Sequence, residues 1–141
     1  MGEQIAMQPH AIMENYLAAF NRGDEVAYGR FYAPDVELRN GTGIILRGAE
    51  AIVAYYRKAR EDFHRMMTLR AALGGDGAIA AALASVFTAR RDGVELSGRT
   101  MQAGDTYAIE SMALYQMQDG LFRRIEAVTL SRRHRAAGEP A

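Results

Sequence analysis

Two tight-turn signals divide the second half of the chain, and this division limits the fold more than any other feature does. Residues 74–77 (Gly-Gly-Asp-Gly) and 119–120 (Asp-Gly) each separate two long, mostly apolar stretches. Turns of this composition between apolar stretches are typical of β-hairpins. The expected strands are 66–73, 78–90, 106–118 and 121–131, with a polar loop from Ser97 to Asp105. Successive long strands joined by tight turns predict an antiparallel meander.

The first half of the chain predicts three helices. Apolar residues at spacings of three and four form a stripe in the first and third of them. The stripe members are Ile12, Tyr16, Ala19 and Phe20 in the first helix, and Ile52, Tyr56, Ala59 and Phe63 in the third. The first helix begins near Pro9 and ends at Gly23. Asp24 is a suitable N-cap for the second helix, which we expect to run to about Tyr32, because proline at 34 stops it.

A short strand pair separates the second and third helices. Val36, Leu38 and Asn40 alternate with charged residues, so they share one face of a strand at 36–40. Glycines at 41 and 43 turn the chain into a short return strand at 44–46, and Gly48 opens the third helix. The pattern therefore places the polar Asn40 side chain on the apolar face.

Helices followed by an antiparallel sheet predict an α+β fold, in which the helices cover one face of the sheet. The 141 residues fit a single domain, which we assign to residues 1–135, and we expect a flexible C-terminal tail at 136–141. The chain has 17 basic and 17 acidic residues, and its one dense basic run, at 132–135, is interpreted as solvated, so we expect no nucleic acid partner.

Other classes of function find no support in the sequence. There is no cysteine, and the histidines at 10, 64 and 134 lack metal-ligand spacing, so we expect no metal and no cofactor. The glycine-rich turns join strands rather than opening helices, so they are not phosphate sites. No stretch is long and apolar enough for a signal peptide or a membrane span, which favours a cytoplasmic protein without a membrane partner.

The strand at 106–118 is apolar on both faces. Ala113, Tyr115 and Met117 alternate with Met112 and Leu114, so the two sets lie on opposite faces. If helices cover the first set, then Met112 and Leu114 need a second cover. We therefore expect a homodimer with these two residues at its interface.

Four motifs resemble the SnoaL-like, ketosteroid-isomerase-like family of the nuclear transport factor two superfamily. They are 16–24 (YLAAFNRGD), 31–38 (FYAPDVEL), 46–52 (LRGAEAI) and 115–122 (YQMQDGLF). Their order and spacing cover nearly the whole chain. The resemblance implies a cone-shaped fold in which three N-terminal helices pack on a strongly curved, mixed but mainly antiparallel sheet. It also implies an apolar pocket inside the cone.

The resemblance also suggests which residues belong to the pocket. Ketosteroid isomerases use an Asp base, with a Tyr and a protonated Asp that bind the oxyanion. Tyr16 matches the oxyanion-binding Tyr, and Tyr32 and Tyr56 match tyrosines that support it. Asn40 stands at the position of the base and Ala113 at that of the acid, so proton abstraction by the isomerase route is not expected.

We take Tyr16 and Asn40 as catalytic candidates, and we expect Tyr32, Tyr56, Ala113, Tyr115 and Met117 to bind the ligand. Glu37 and Glu110, the nearest alternative bases, lie on the opposite strand faces. The small residues Ala80, Ala82 and Ala84 are interpreted either as an enlarged pocket wall or as close packing against a helix. The alternative interpretation of Tyr16, Tyr32 and Tyr56 is that they are core aromatics without a functional role.

Three functions fit this set of residues. The first is an isomerase, cyclase or dehydratase that acts on a small hydrophobic carbonyl or ring compound, in which Tyr16 donates to an oxyanion and Asn40 positions the substrate or a water. The second is a non-catalytic binder of a small hydrophobic molecule, which the missing carboxylates favour. The third is a protein-association module on the same fold, which would have a small or filled cone.

Overall fold

The long strands of the second half form one sheet, as the turn signals predict. The computed structural model describes residues 8–139. Its elements are α1 (Pro9–Asn21), α2 (Glu25–Gly29), β1 (Tyr32–Arg39), β2 (Ile45–Arg47), α3 (Ala49–Asp62), β3 (Phe63–Gly75), β4 (Ala78–Ala89), β5 (Val94–Leu96), β6 (Arg99–Met101), β7 (Thr106–Gln118) and β8 (Leu121–Arg135). No helix in this range is long and apolar enough to cross a membrane. The expectation of no signal peptide concerns the N-terminal residues, and residues 1–7 lie outside the described range.

The main sheet has the order β2-β1-β8-β7-β4-β3. Every neighbouring pair is antiparallel except β1 and β8, which run parallel. Register shifts interrupt the β1–β8, β3–β4 and β7–β8 ladders, and such bulges bend the strands that carry them. The curved sheet and the three helices form the cone-shaped α+β fold that the sequence predicts.

Helix α1 fills the concave face of the sheet. Tyr16, Ala19 and Phe20 of the predicted stripe are buried, whereas Ile12 is only partly buried, and Met13 and Leu17 are buried in addition. The Tyr16 ring meets the Phe122 ring of β8 edge-on, with their centroids 5.0 Å apart. Burying aromatic side chains of this size supplies much of the hydrophobic stabilisation of a small domain.

One side chain fastens α1 to the edge of the sheet. Asn21, the last residue of the helix, donates from Nδ2 to the Met67 carbonyl oxygen at 2.9 Å, and its Oδ1 accepts from the Met67 N–H at 2.8 Å. Strand β3 is an edge strand, so these backbone groups have no strand partner on that side. The Asn21 amide takes the place of a neighbouring strand at this one position.

Several predicted boundaries were wrong. Helix α2 ends at Gly29 rather than near Tyr32, because Tyr32 already pairs with Phe122 and Ala33 is extended before proline. The segment from Ser97 to Asp105 is not all loop, since β6 pairs with β5 across a turn in which Ser97 and Gly98 have positive φ. Strand β3 begins at Phe63, which the apolar stripe had predicted to belong to the third helix.

The C-terminal residues continue past the last strand. The Ala137 N–H donates to Asp105 Oδ1 at 2.9 Å, and the Ala136 N–H donates to Glu139 Oε1 at 3.1 Å. Residues 140 and 141 of the predicted tail lie outside the described range. The flexibility of the tail stays a prediction.

We predict that Asn21→Ala lowers the free energy of unfolding by about 2 kcal/mol, because two hydrogen bonds to the edge strand are lost. Urea unfolding followed by circular dichroism measures this. Asn15→Ala is the matched control, since Asn15 is exposed on the same helix, and it should change stability by less than about 0.5 kcal/mol. Equal losses in both variants would mean that water replaces the Asn21 amide without cost.

Candidate functional site

A cavity of about 340 Å³ lies between α1, α3 and the concave face of the sheet. This volume is within the range of sites for small organic ligands. Its lining is mostly aromatic and aliphatic, and includes Tyr16, Phe20, Tyr56, Leu83, Phe87, Ala113, Tyr115 and Ile125. Polar and charged side chains also line it, and they include four basic residues: Arg39, Lys58, Arg60 and Arg65.

Two tyrosine hydroxyls meet at the cavity wall. Tyr16 of α1 and Tyr32 of β1 have their hydroxyl oxygens 2.6 Å apart, and either one could be the donor. Burial raises the pKa of Tyr16 well above its ordinary value, and the nearby Tyr32 and Tyr115 raise it further. Burial likewise raises the pKa of Tyr32, although its hydrogen bond with Tyr16 opposes this. Both phenols are therefore neutral hydrogen-bonding groups at any physiological pH.

The predicted ligand-binding residues divide into two layers. Tyr16, Asn40, Tyr56, Ala113 and Tyr115 line the cavity. Tyr32 and Met117 are not among the lining residues. Tyr32 stands behind Tyr16, and Met117 follows a register shift in β7 and packs against the core. Tyr16 and Tyr32 are thus buried core aromatics, Tyr56 is half-buried, and Tyr16 and Tyr56 also line the cavity.

Asn40 shapes the turn between β1 and β2. Its Oδ1 accepts from the Thr42 N–H at 3.0 Å, the Thr42 hydroxyl at 2.7 Å and the Ile44 N–H at 3.1 Å. These three donors use the capacity of the side-chain oxygen. Only the Asn40 amide nitrogen is left to contact a ligand.

Acidic side chains reach the cavity at its mouth rather than at its base. Asp62 and Glu95 line it, and Asp62 accepts a hydrogen bond from Arg91 Nε at 3.0 Å. Glu37 and Glu110 point away, as their strand faces predict, and lie near Arg47 at 3.7 Å and Arg70 at 3.9 Å. Within residues 8–139, no group of three or more His, Asp or Glu side chains is placed to hold a metal ion.

Arg65 is a cavity residue that the sequence reasoning missed. The guanidinium carbon lies 4.6 Å from the centroid of the Phe87 ring, 5.5 Å from that of Phe20 and 5.7 Å from that of Tyr56. Arg65 Nη2 donates to Ser85 Oγ at 3.3 Å. Its side chain points inward because β3 alternates, and the apolar neighbours Phe63 and Met67 on the same face were the signal for this position.

The prediction that Ala80, Ala82 and Ala84 form a wall of the cavity was wrong. The inward residues of β4 are Ile79, Ala81, Leu83 and Ser85, all of which are buried. Ala80 and Ala82 stand opposite Leu114 and Met112, on the other face of the sheet. Because side chains alternate along a strand, a one-residue shift in the assignment of inward residues places every side chain on the wrong face.

The outer face of the sheet carries exposed apolar side chains, as expected. Met112 is 39% exposed and Leu114 is 37% exposed, and on the neighbouring strand Val128 is 59% and Leu130 is 64% exposed. Met112 pairs directly with Val128 across the β7–β8 ladder. The homodimer itself stays a prediction.

Known proteins share this architecture. A candidate polyketide cyclase from Xanthomonas campestris pv. campestris is 21% identical, with a TM-score of 0.70 over 84% of this chain and 87% of that one. A second candidate polyketide cyclase, from Pseudomonas putida KT2440, is 19% identical, with a TM-score of 0.70 over 82% of this chain and 86% of that one. An LEH-like epoxide hydrolase from M. tuberculosis is 10% identical, with a TM-score of 0.68 over 84% of this chain and 79% of that one. At these identities the likeness concerns the fold alone.

Sequence similarity identifies the family. None of the curated proteins is similar enough in sequence to match the chain. The profile of the SnoaL-like domain, however, matches residues 13–125, which contain every element from within α1 to the first residues of β8. This confirms the resemblance carried by the four motifs. The chain therefore belongs to the SnoaL-like domain family.

Proposed function

We propose that the protein binds a small, flat, mostly apolar ring compound in the cavity and converts it by isomerisation, cyclisation or dehydration. The hydrogen-bonded pair of Tyr16 and Tyr32 carries this proposal, because Tyr16 lines the cavity and Tyr32 stands behind it. A phenol backed by a second phenol is a suitable donor to an oxygen that gains negative charge in the reaction.

The proton arrangement of the pair supports a donor role for Tyr16. Two hydroxyl groups carry two hydrogens, and the bond between their oxygens uses one of them. When Tyr32 donates to Tyr16, the Tyr16 hydrogen is free to point at a ligand oxygen. A donor of this kind is polarised by the hydrogen bond that it accepts, and this effect is larger in a site that excludes water. Because burial raises its pKa, Tyr16 acts as a donor and not as a phenolate base.

The cavity supports polarisation of the substrate more than removal of a proton. The positions that hold carboxylates in isomerases are occupied by Asn40, whose oxygen serves a turn, and by Ala113, which has no polar atom. Among the residues that line the cavity, the acidic ones are Asp62, which Arg91 engages, and the exposed Glu95. The names of the similar structures, which include cyclase and epoxide hydrolase, agree with chemistry on oxygenated ring compounds in general.

The second candidate is a binder without catalysis, and the same absence of carboxylates at positions 40 and 113 favours it. It predicts tight binding of a ring compound with no chemical change. The cavity volume of about 340 Å³ supports both of these functions over a protein-association module, for which a small or filled cone was expected.

We predict that Tyr16→Phe lowers the turnover of an identified substrate by about a hundredfold, since one oxyanion donor is typically worth that much or more. Substrates are found by following a panel of cyclic ketones and enols by NMR with the wild-type protein. Tyr55→Phe is the matched control, because Tyr55 also lines the cavity and should keep its turnover.

Two results would contradict this assignment. Unchanged turnover in the Tyr16→Phe variant would remove the donor role. Tight binding of panel members by the wild-type protein without any product would favour the binder.

We also propose that the exposed apolar face of β7 and β8 is covered by a second copy of the chain. Met112→Glu places a charge beside Val128 in the middle of this face and is predicted to convert a dimer into a folded monomer. Sedimentation equilibrium at micromolar concentration measures the mass. Val26→Glu is the control, since Val26 is 67% exposed on α2, away from the sheet, and should leave the dimer intact. A monomeric wild-type protein would refute the proposal.

A further inference from the structure

Arg65 differs from the other arginines around it. Its guanidinium is inside the cavity, and no carboxylate pairs with it among residues 8–139. Its neighbours Arg57 and Arg60 pair with Glu25, Arg70 with Glu110, and Arg91 with Asp62. Arg39 and Lys58 also line the cavity without an ion pair among residues 8–139, but both are exposed, whereas Arg65 is half-buried. A half-buried cation without a counter-ion is less well solvated than one in water, so a partner for it is favourable.

The rings around Arg65 satisfy only part of the group. The guanidinium lies over the Phe87 ring, with the Phe20 and Tyr56 rings nearby, and such contacts stabilise a cation through its flat face. The five N–H donors of a guanidinium lie in its plane, at its edge, where rings stacked on the face do not reach them.

Burial raises the pKa of Tyr56 and the nearby Arg65 opposes this, so the Tyr56 hydroxyl lies close to the guanidinium. The other N–H donors of Arg65 are poorly satisfied. Nη2 donates to Ser85 Oγ at 3.3 Å, which is a long bond. Nε is buried, with no hydrogen-bond partner in the described part of the chain. A buried donor without an acceptor costs free energy, and an acceptor on a ligand bound in the cavity would remove this cost.

We infer that the ligand of this cavity is a ring compound that carries a carboxylate, and that Arg65 binds this group. A carboxylate presents two coplanar oxygens, which match the forked donors of a guanidinium. The flanking rings of Phe20, Phe87 and Tyr56 would contact the body of the same ligand. This inference rests on the proposed function, since it places the ligand in the same cavity.

The position of Arg65 relative to Tyr16 narrows the ligand further. Both residues neighbour the Phe20 ring, whose centroid is 6.2 Å from that of Tyr16 and 5.5 Å from the Arg65 guanidinium carbon. A ligand that fills the cavity therefore contacts the Arg65 cation at one end and the neutral Tyr16 hydroxyl donor at another. The class that fits is a cyclic or aromatic acid with a second oxygen, such as a carbonyl or hydroxyl, on its ring.

The test compares an acid with its neutral analogue. The probes are 2-naphthoate and 2-naphthamide, which share one ring system but differ in charge, and calorimetry at pH 7 gives their affinities. We expect the wild-type protein to bind the acid about tenfold tighter or more, as charge-assisted hydrogen bonds predict. Arg65→Met should abolish this preference, and Arg65→Lys should keep only part of it, because lysine has the charge without the fork.

The matched control is Arg70→Met on the same strand, where Arg70 is 62% exposed on the opposite face and should leave the preference unchanged. Thermal melting confirms that each variant is folded. Equal affinity of the wild-type protein for acid and amide would overturn the inference while leaving the proposed function standing. A preference that survives in Arg65→Met would also overturn it. Binding of neither probe would count against both proposals.

Discussion

The hydrogen bonds between Asn21 and Met67 hold α1 against the edge of the sheet, and the site depends on that attachment. The preceding residue, Phe20, lines the cavity and neighbours both Tyr16 and Arg65. One turn further back, Tyr16 meets Tyr32 of β1, so the helix is connected to opposite parts of the sheet at its two contacts. A hydrophobic face alone would allow α1 to slide, because apolar packing is not directional. The two amide hydrogen bonds fix its position along the sheet.

The cavity has a different charge pattern from the isomerase arrangement that its motifs resemble. That arrangement uses carboxylates, one of them kept protonated by apolar surroundings. The positions that the resemblance matches to them, Asn40 and Ala113, carry an amide that holds a turn and a methyl group, while a guanidinium enters from β3. We propose that such a cavity attracts anions and stabilises negative charge. The same fold can therefore serve a different chemistry with few changes of side chain.

Much of the fold could be predicted from the sequence, because glycine-rich turns and apolar stripes are local signals. The hairpins at 74–77 and 119–120 and the buried face of α1 follow from them. The wrong predictions concern residues whose structure is set by pairing with another strand. Tyr32 is a strand residue because β8 pairs with it, and β6 forms because β5 is beside it.

The candidate site could be predicted only in part. Tyr16 and Tyr115 belong to motifs and Tyr56 was matched through the family resemblance, so all three could be assigned to the cavity before its shape was known. Which side chains of β4 point into the cavity could not be predicted, since a strand that is apolar on both sides gives no periodic signal. Ala81, which is buried, and Ala82 are the same residue type, so the sequence does not distinguish them. Arg65 could be assigned to the cavity only by knowing which face of β3 points inward. A charged residue in an alternating strand is ordinarily assigned to the solvent-exposed face.

The parallel pairing of β1 with β8 has a consequence for the order of folding. Tyr32 pairs with Phe122, so strands from near the two ends of the chain must meet before the sheet is complete. Contacts so distant in sequence close a large loop, whose entropy opposes their formation early in folding. The hairpins of β3 with β4 and of β7 with β8 involve nearby residues and need no such closure. During synthesis, the Tyr16–Tyr32 pair therefore gains its finished surroundings only after the last strand has left the ribosome.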